Sequence, residues 1–145
     1  MKYVEVDDRT GVVSWDAYFE YLRTIQKRLP AELYSYAINW EHYSLDGKNS
    51  LHDAWLIGIQ FANREKEVSL ELLGARHDRK LLFKYVDVQG YLLDLDVEYK
   101  RGDRDVLAHE FRIEHGVIVH DVLFSNKKSI LIRAMNVIPA TESLS

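Results

Sequence analysis

The connections between the strand-like segments after Ser50 are the strongest constraint on how this chain can fold. Apolar and polar residues alternate at a period of two in several short segments, among them 67–72 and 91–99. Only polar turns of a few residues separate these segments. Parallel strands need a crossover of about a dozen residues or more, so the pairing must be largely antiparallel. The sequence therefore predicts a strongly bent meander sheet of about seven strands, in its extreme form closed like a barrel.

Two helices are predicted ahead of this sheet. Ser14 is a suitable N-cap for a helix that runs to about Leu29, and apolar residues recur along it at helical spacing. Pro30 separates this helix from a second one, predicted over residues 31–43. The predicted fold class is therefore α+β, with both helices packed on an antiparallel sheet.

Length and composition are typical of a globular domain. The chain has 145 residues, of which 47% are apolar, and a chain of this size can bury a self-sufficient core. We expect a single domain over residues 1–138 and a frayed tail over residues 139–145. No cysteine is present, which excludes disulfides, zinc–thiolate sites and thiol catalysis.

Charge and hydropathy argue against several classes of partner. Nineteen basic and 23 acidic residues give a net charge of −4, whereas phosphate binding needs a basic surface. Residues 1–8 lack the apolar stretch of a signal peptide, and no apolar run approaches the ~18 residues that span a bilayer. We therefore expect a cytoplasmic protein whose partner is a protein, with no nucleic acid and no membrane.

Two histidines share the apolar face of a predicted hairpin. If His115-Gly116 is a two-residue turn, Phe111 pairs with His120, and His109 becomes a diagonal neighbour of His120. This register brings two imidazoles together in the core. In the first interpretation they are structural residues, satisfied by hydrogen bonds to a carbonyl, a tyrosine or an acid.

In the second interpretation the same histidines bind a metal ion. His109 and His120 supply two ligands, and His52 or Asp53 supplies the third. The sequence has no Gly-rich phosphate loop, no nucleophile elbow and no EF-hand loop, so it predicts no cofactor and no catalytic residue.

Three carboxylates form a stripe along one predicted strand. Asp94, Asp96 and Glu98 occur at a period of two, so their side chains share one face. They could offer a negative surface to a basic protein partner or hold a divalent cation. A solvated strand face is the structural alternative.

Aromatic residues are concentrated in the two predicted helices, from Trp15 to Tyr43. Core packing against the sheet explains such residues, and Trp40 is assigned to the inward face. A ligand pocket between the helices and the sheet is the alternative.

The chain resembles small bacterial proteins that are known mainly as uncharacterised. The resemblance rests on the segment Ser-Leu-His-Asp-Ala at residues 50–54, on His-Glu-Phe at 109–111, and on His-Asp-Val-Leu-Phe at 120–124. It covers about the last two-thirds of the chain and implies no named family and no activity. Small acidic proteins without catalytic motifs are also similar in kind to toxin-neutralising immunity proteins, which is an analogy.

Three functional hypotheses follow from these patterns. The first is a non-enzymatic binding or interaction module, immunity-like in one form, that uses Asp94, Asp96 and Glu98. The second is a metal-binding protein or metal-dependent hydrolase that uses His52, Asp53, His109 and His120. The third is a protein that holds a small apolar ligand in the mouth of the curved sheet.

Overall fold

The computed structural model of the chain describes residues 1–95 and 105–144. Two α-helices accompany a six-stranded antiparallel sheet and a small two-stranded sheet, so the predicted α+β class is confirmed. The elements are β1 (Glu5–Val6), β2 (Val13–Ser14), α1 (Asp16–Thr24), α2 (Ala31–Ala37), β3 (Trp55–Ala62), β4 (Glu67–Leu73), β5 (Arg79–Asp94), β6 (Val106–Glu114), β7 (Val117–Phe124) and β8 (Ser129–Ser143).

Both helices are shorter than the sequence predicts. Helix α1 begins at Asp16, no side chain caps it, and Ser14 belongs to β2, so the predicted N-cap is wrong. Short 3-10 turns at Gln26–Arg28 and Trp40–His42 replace the ends of the two predicted helices. Within the described ranges, no helix is both long enough and apolar enough to pass through a membrane.

The large sheet consists of two three-stranded meanders joined along one seam. The strand order is β3-β4-β5-β8-β7-β6, and every neighbouring pair is antiparallel. The segments 81–85 and 91–94, predicted as separate strands, are parts of β5, which continues through a bulge between Val88 and Gly90. This continuity reduces the predicted seven strands to six.

The seam between β5 and β8 extends almost to the C-terminal end of the described chain. Residues 139–143, which the sequence assigns to a frayed tail, continue β8 and pair with β5 from Arg79 to Phe83. The tail assignment fails here because paired backbone groups, rather than the local composition, fix these residues.

The sheet curls, but it does not close into a barrel. Its two edge strands, β3 and β6, meet in the described residues at one isolated bridge, between Trp55 and Asp105. Beside this bridge the Asp53 N–H donates to the Val106 carbonyl, and the Val106 N–H donates to the Ala54 carbonyl, each at 2.9 Å. Further along β6, helix α1 lies in the gap that a seventh strand would fill.

Two tyrosines of α1 cover the outer edge of β6. The Phe111 N–H donates to the Tyr18 hydroxyl at 3.0 Å, and the Ile113 N–H donates to the Tyr21 hydroxyl at 2.8 Å. Free N–H groups on an edge strand are costly when buried and attract other strands when exposed. The hydroxyls satisfy these two groups. β6 therefore pairs with a strand on one side only, although most of its residues are buried.

The hairpin of β6 and β7 has the register that its turn predicts. Glu114 pairs with Val117, and Phe111 pairs with His120. His115 has a φ of 53° and Gly116 a φ of 76°. A two-residue hairpin turn of type I′ requires a positive φ at both of its residues. The alternation of side chains therefore divides the hairpin into an apolar inner face and a charged outer face.

The charged outer face is buried beneath the N-terminal residues. The Arg112 guanidinium contacts the carboxylates of Glu110 at 3.0 Å and Asp121 at 2.9 Å. The Glu110 carboxylate also accepts hydrogen bonds from the backbone N–H groups of residues 2–4, and the α-amino group of Met1 lies 3.1 Å from Asp121. Each buried charge thus has a partner of opposite sign.

We expect Tyr18→Phe to lower the free energy of unfolding by about 1–3 kcal/mol, because it leaves the buried Phe111 N–H without an acceptor. Urea unfolding of both proteins measures this difference. Tyr34→Phe is the matched control: Tyr34 is a half-buried tyrosine of α2. Equal stability of the two variants would contradict the role assigned to the Tyr18 hydroxyl.

We expect Arg112→Leu to cost about 3–5 kcal/mol of stability, because two buried carboxylates lose their shared cation. Arg133→Leu is the control, since the Arg133 side chain reaches the Glu114 carboxylate at 3.3 Å but is 42% exposed, and we expect it to cost less than about 1 kcal/mol. Similar losses in both variants would show that the burial of Arg112 is unimportant.

Candidate binding site

The two histidines of the predicted hairpin lie side by side in the core. His109 is 1% exposed and His120 is fully buried. The distance from Nδ1 of His109 to Nε2 of His120 is 3.1 Å. The register derived from the turn therefore places the two imidazoles in direct contact.

All four ring nitrogens of this pair take part in one chain of hydrogen bonds. Nε2 of His109 lies 3.2 Å from the His42 carbonyl, which can only accept, so this nitrogen carries a proton. Nδ1 of a neutral His109 must then accept from Nε2 of His120. Nδ1 of His120 in turn accepts from the Tyr85 hydroxyl, at 2.6 Å. All the hydrogen bonds are therefore donated in the same direction, from the Tyr85 hydroxyl towards the His42 carbonyl. Both imidazoles are neutral Nε2–H tautomers.

The burial of these hydrogen-bonded rings opposes protonation of either histidine. Desolvation lowers the pKa of His109 to about 3. Desolvation also lowers the pKa of His120 well below its ordinary value, and the neighbouring His109 adds to the effect. A proton would introduce a charge into an apolar core and would break the direction of the hydrogen-bond chain.

The other two predicted metal ligands, His52 and Asp53, take no part in this series of hydrogen bonds. Nδ1 of His52 is 3.2 Å from the Leu107 carbonyl, and its Nε2 is 3.5 Å from the carboxylate of Asp53. Across residues 1–95 and 105–144, no three His, Asp or Glu side chains are grouped so that they could hold a metal ion. The geometry of His109 and His120 is that of the structural interpretation, in which hydrogen bonds satisfy both rings.

Asp105 adds a further acid near His52 and Asp53. Burial raises the pKa of its carboxyl group, and the charge of Asp53 raises it further. One of its carboxylate oxygens is buried and has no hydrogen-bond partner in the described part of the chain.

The predicted acidic stripe is described at one position only. Asp94 ends β5, its side chain is exposed, and its carboxylate lies 3.4 Å from Nζ of Lys128. Asp96 and Glu98 lie outside the described residues. The stripe stays a prediction.

An open groove lies between the N-terminal hairpin and the residues that follow α2, with Trp15, just before α1, between them, and we call it the aromatic groove. Its volume is about 360 Å³, and its walls are Val12, Val13, Trp15, Trp40 and Leu45, with Tyr43 and His52 deeper. Beyond the Trp15–Trp40 pair it continues into a shallower hollow that reaches Asp16 and Phe19.

Three apolar side chains on the rim of the aromatic groove are unusually exposed. Val12 is 65% exposed, Trp40 50% and Leu45 77%. The sequence assigned Trp40 to the inward face of a helix, and this is wrong because the helix ends at Ala37 and a 3-10 turn rotates Trp40 outward. Of the aromatic residues from Trp15 to Tyr43, Trp15, Phe19, Trp40 and Tyr43 line the groove or its hollow, and the N-terminal hairpin forms the facing wall. The predicted ligand pocket between the helices and the sheet stays a prediction.

Tyr43 forms the rigid floor of the aromatic groove. Its ring packs on Trp15 at 5.1 Å and on Phe19 at 5.3 Å, and it stacks on His109 at 4.5 Å. Its hydroxyl donates to the Ala37 carbonyl at 2.7 Å, so the Tyr18 hydroxyl, 2.9 Å away, must donate to it. The buried histidines therefore lie directly beneath the groove and support its floor.

The buried imidazoles predict a stability that depends on pH. An unfolded histidine binds a proton near pH 6.5, whereas folded His109 does so only near pH 3. Unfolding therefore takes up protons below about pH 6.5, and the free energy of unfolding falls as the pH falls. Between pH 7 and pH 5 we expect a loss of about 2 kcal/mol for each of the two histidines, measured by urea unfolding.

The double variant His109→Gln/His120→Gln should lose most of this dependence, whatever its absolute stability. The matched control is His77→Asn/His115→Asn, in two exposed turns with positive φ that asparagine tolerates, and it should keep the dependence. Nitrogen-15 NMR of the native protein should show Nε2–H tautomers at positions 109 and 120 at pH 5. A protonated ring at either position would contradict the proposed series of hydrogen bonds between Tyr85, His120, His109 and His42.

No family model matches the chain, and no curated protein matches it. Among solved structures, an uncharacterized protein from Neisseria gonorrhoeae is similar at 14% identity, with a TM-score of 0.49, over 61% of this chain and 90% of the other. The chain is accordingly assigned to no named family.

Proposed function

We propose that this chain is a non-enzymatic interaction module that binds a protein partner through the aromatic groove. The observation that carries the proposal is the exposure of Val12, Trp40 and Leu45 around one concave site. Exposed apolar side chains that cluster at a concave site are typical of binding surfaces.

The exposed half of Trp40 has enough apolar surface to anchor a partner. A tryptophan side chain offers up to about 250 Å² of surface, so covering the exposed half would contribute roughly 2–3 kcal/mol. The floor beneath it is held by ring contacts and by hydrogen bonds of Tyr43. A rigid floor loses little entropy on binding, which favours affinity.

The contacts of His52 favour binding over catalysis. Among the residues that the structure describes, it is the one imidazole that lines the aromatic groove. Both of its ring nitrogens face oxygen atoms, of the Leu107 carbonyl and of the Asp53 carboxylate. A general base needs a ring nitrogen that faces the reacting group, whereas the nearest oxygen atoms to both nitrogens of His52 belong to the chain itself. The immunity-like role and the stripe of Asp94, Asp96 and Glu98 stay predictions within this functional class.

A peptide-display experiment on the full chain tests the proposal. A library of random twelve-residue peptides is selected on the purified protein, and the dissociation constants of the enriched peptides are measured. We expect Trp40→Ala and Leu45→Ala each to weaken binding by about 10-fold or more, as the loss of an anchor residue does.

Leu92→Ala is the matched control, because Leu92 is 68% exposed on the outer face of β5, away from the aromatic groove. It should leave the dissociation constants unchanged. The proposal is wrong if no peptide is enriched, or if the enriched peptides bind the Trp40→Ala and Leu45→Ala proteins as tightly as the native one.

A further inference from the structure

We infer that the aromatic groove recognises an arginine or lysine side chain, flanked by apolar residues, on the partner protein. This inference rests on the proposed function and specifies the chemistry of the partner. It follows from two independent properties of the groove, the arrangement of its tryptophans and the sign of its charges.

The tryptophans form an aromatic corner. The rings of Trp15 and Trp40 lie 5.9 Å apart with an angle of 80° between their planes, and Phe19 packs on Trp40 at the same distance. The pair is packed edge to face, and both indoles line the groove and the hollow, so one group bound there can contact both rings. A cation over an indole face is attracted by the partial negative charge of the π face, more strongly than over a tyrosine or phenylalanine ring.

The charges around the groove are mostly negative. Asp16 lines the adjoining hollow, and it is the one charged residue among the described side chains that line the groove or the hollow. Glu41, Asp46 and Asp53 are exposed on the residues beside its walls. An acidic side chain of a partner would be repelled here, whereas a basic one is attracted.

Three exposed bases lie on or beside the segments that form the groove: Arg9 (two residues before Gly11), Lys48 (three residues after Leu45) and Arg76. The Arg76 guanidinium donates to the backbone carbonyl of Asp46 at 3.2 Å. The apolar walls at Val12 and Leu45 provide contacts for the methylene groups of a long basic side chain and for its apolar neighbours.

Three synthetic peptides test the inference. In each, a central residue stands between two leucines, and this residue is arginine, citrulline or glutamate. Citrulline has the shape of arginine without its charge. We expect the arginine peptide to bind the native protein about 5- to 10-fold more tightly than the citrulline peptide, and the glutamate peptide to bind most weakly. Calorimetry or NMR titration measures the three dissociation constants.

Two variants locate the effect. Asp16→Asn should reduce the ratio between the arginine and citrulline peptides to about twofold or less, because it removes the carboxylate that lies beside the Trp15–Trp40 pair. Glu32→Gln removes the same charge from the exposed first turn of α2 and should leave the ratio unchanged. Thermal unfolding confirms that both variants are folded.

The outcomes separate the two proposals. Equal affinity for the arginine and citrulline peptides overturns the inference, while the loss of binding in Trp40→Ala would still support the proposed function. An equal effect of Asp16→Asn and Glu32→Gln also overturns it, because the preference would then reflect net charge alone. If none of the peptides binds and the display selection is also empty, both proposals are wrong.

Discussion

The burial of strand β6 imposes the requirement that organises the rest of the structure. β6 is an edge strand of the sheet, yet most of its residues are inaccessible to water, so each of its polar groups needs a partner within the protein. The tyrosine hydroxyls of α1 satisfy its outer N–H groups, and the N-terminal residues satisfy the Glu110 carboxylate. His109 reaches across to the carbonyl of His42. The helices, the N-terminal segment and the loop before β3 are therefore all tied to one strand.

Part of this arrangement could be read from the sequence because it depends on local patterns. The turn at His115-Gly116 and the alternation around it fix the hairpin register, and with it the contact between His109 and His120. The antiparallel sheet follows from short connections. The α+β class follows from the change of period near Ser50.

The remainder depends on contacts between distant segments, which no local pattern encodes. Nothing near Tyr18 indicates that its hydroxyl covers an N–H group of β6, and nothing near Glu110 indicates that the N-terminal residues surround its carboxylate. The aromatic groove was missed for a similar reason. Whether Trp40 points inward depends on where α2 stops, and helix ends are the least certain feature of a sequence-based assignment.

The position of β8 has a consequence for how the protein is made. This strand lies between β5 and β7, so the meander of β3, β4 and β5 is not joined to the hairpin of β6 and β7 until residues 129–143 have left the ribosome. Until then β5 presents an unpaired strand edge, and the hairpin of β6 and β7 presents another, which are the surfaces on which nascent chains aggregate. Pairing β5 with β8 also closes a long segment of chain, which makes folding slow. The nascent chain is therefore most vulnerable in the interval before β8 emerges, and chaperone binding in that interval would protect it.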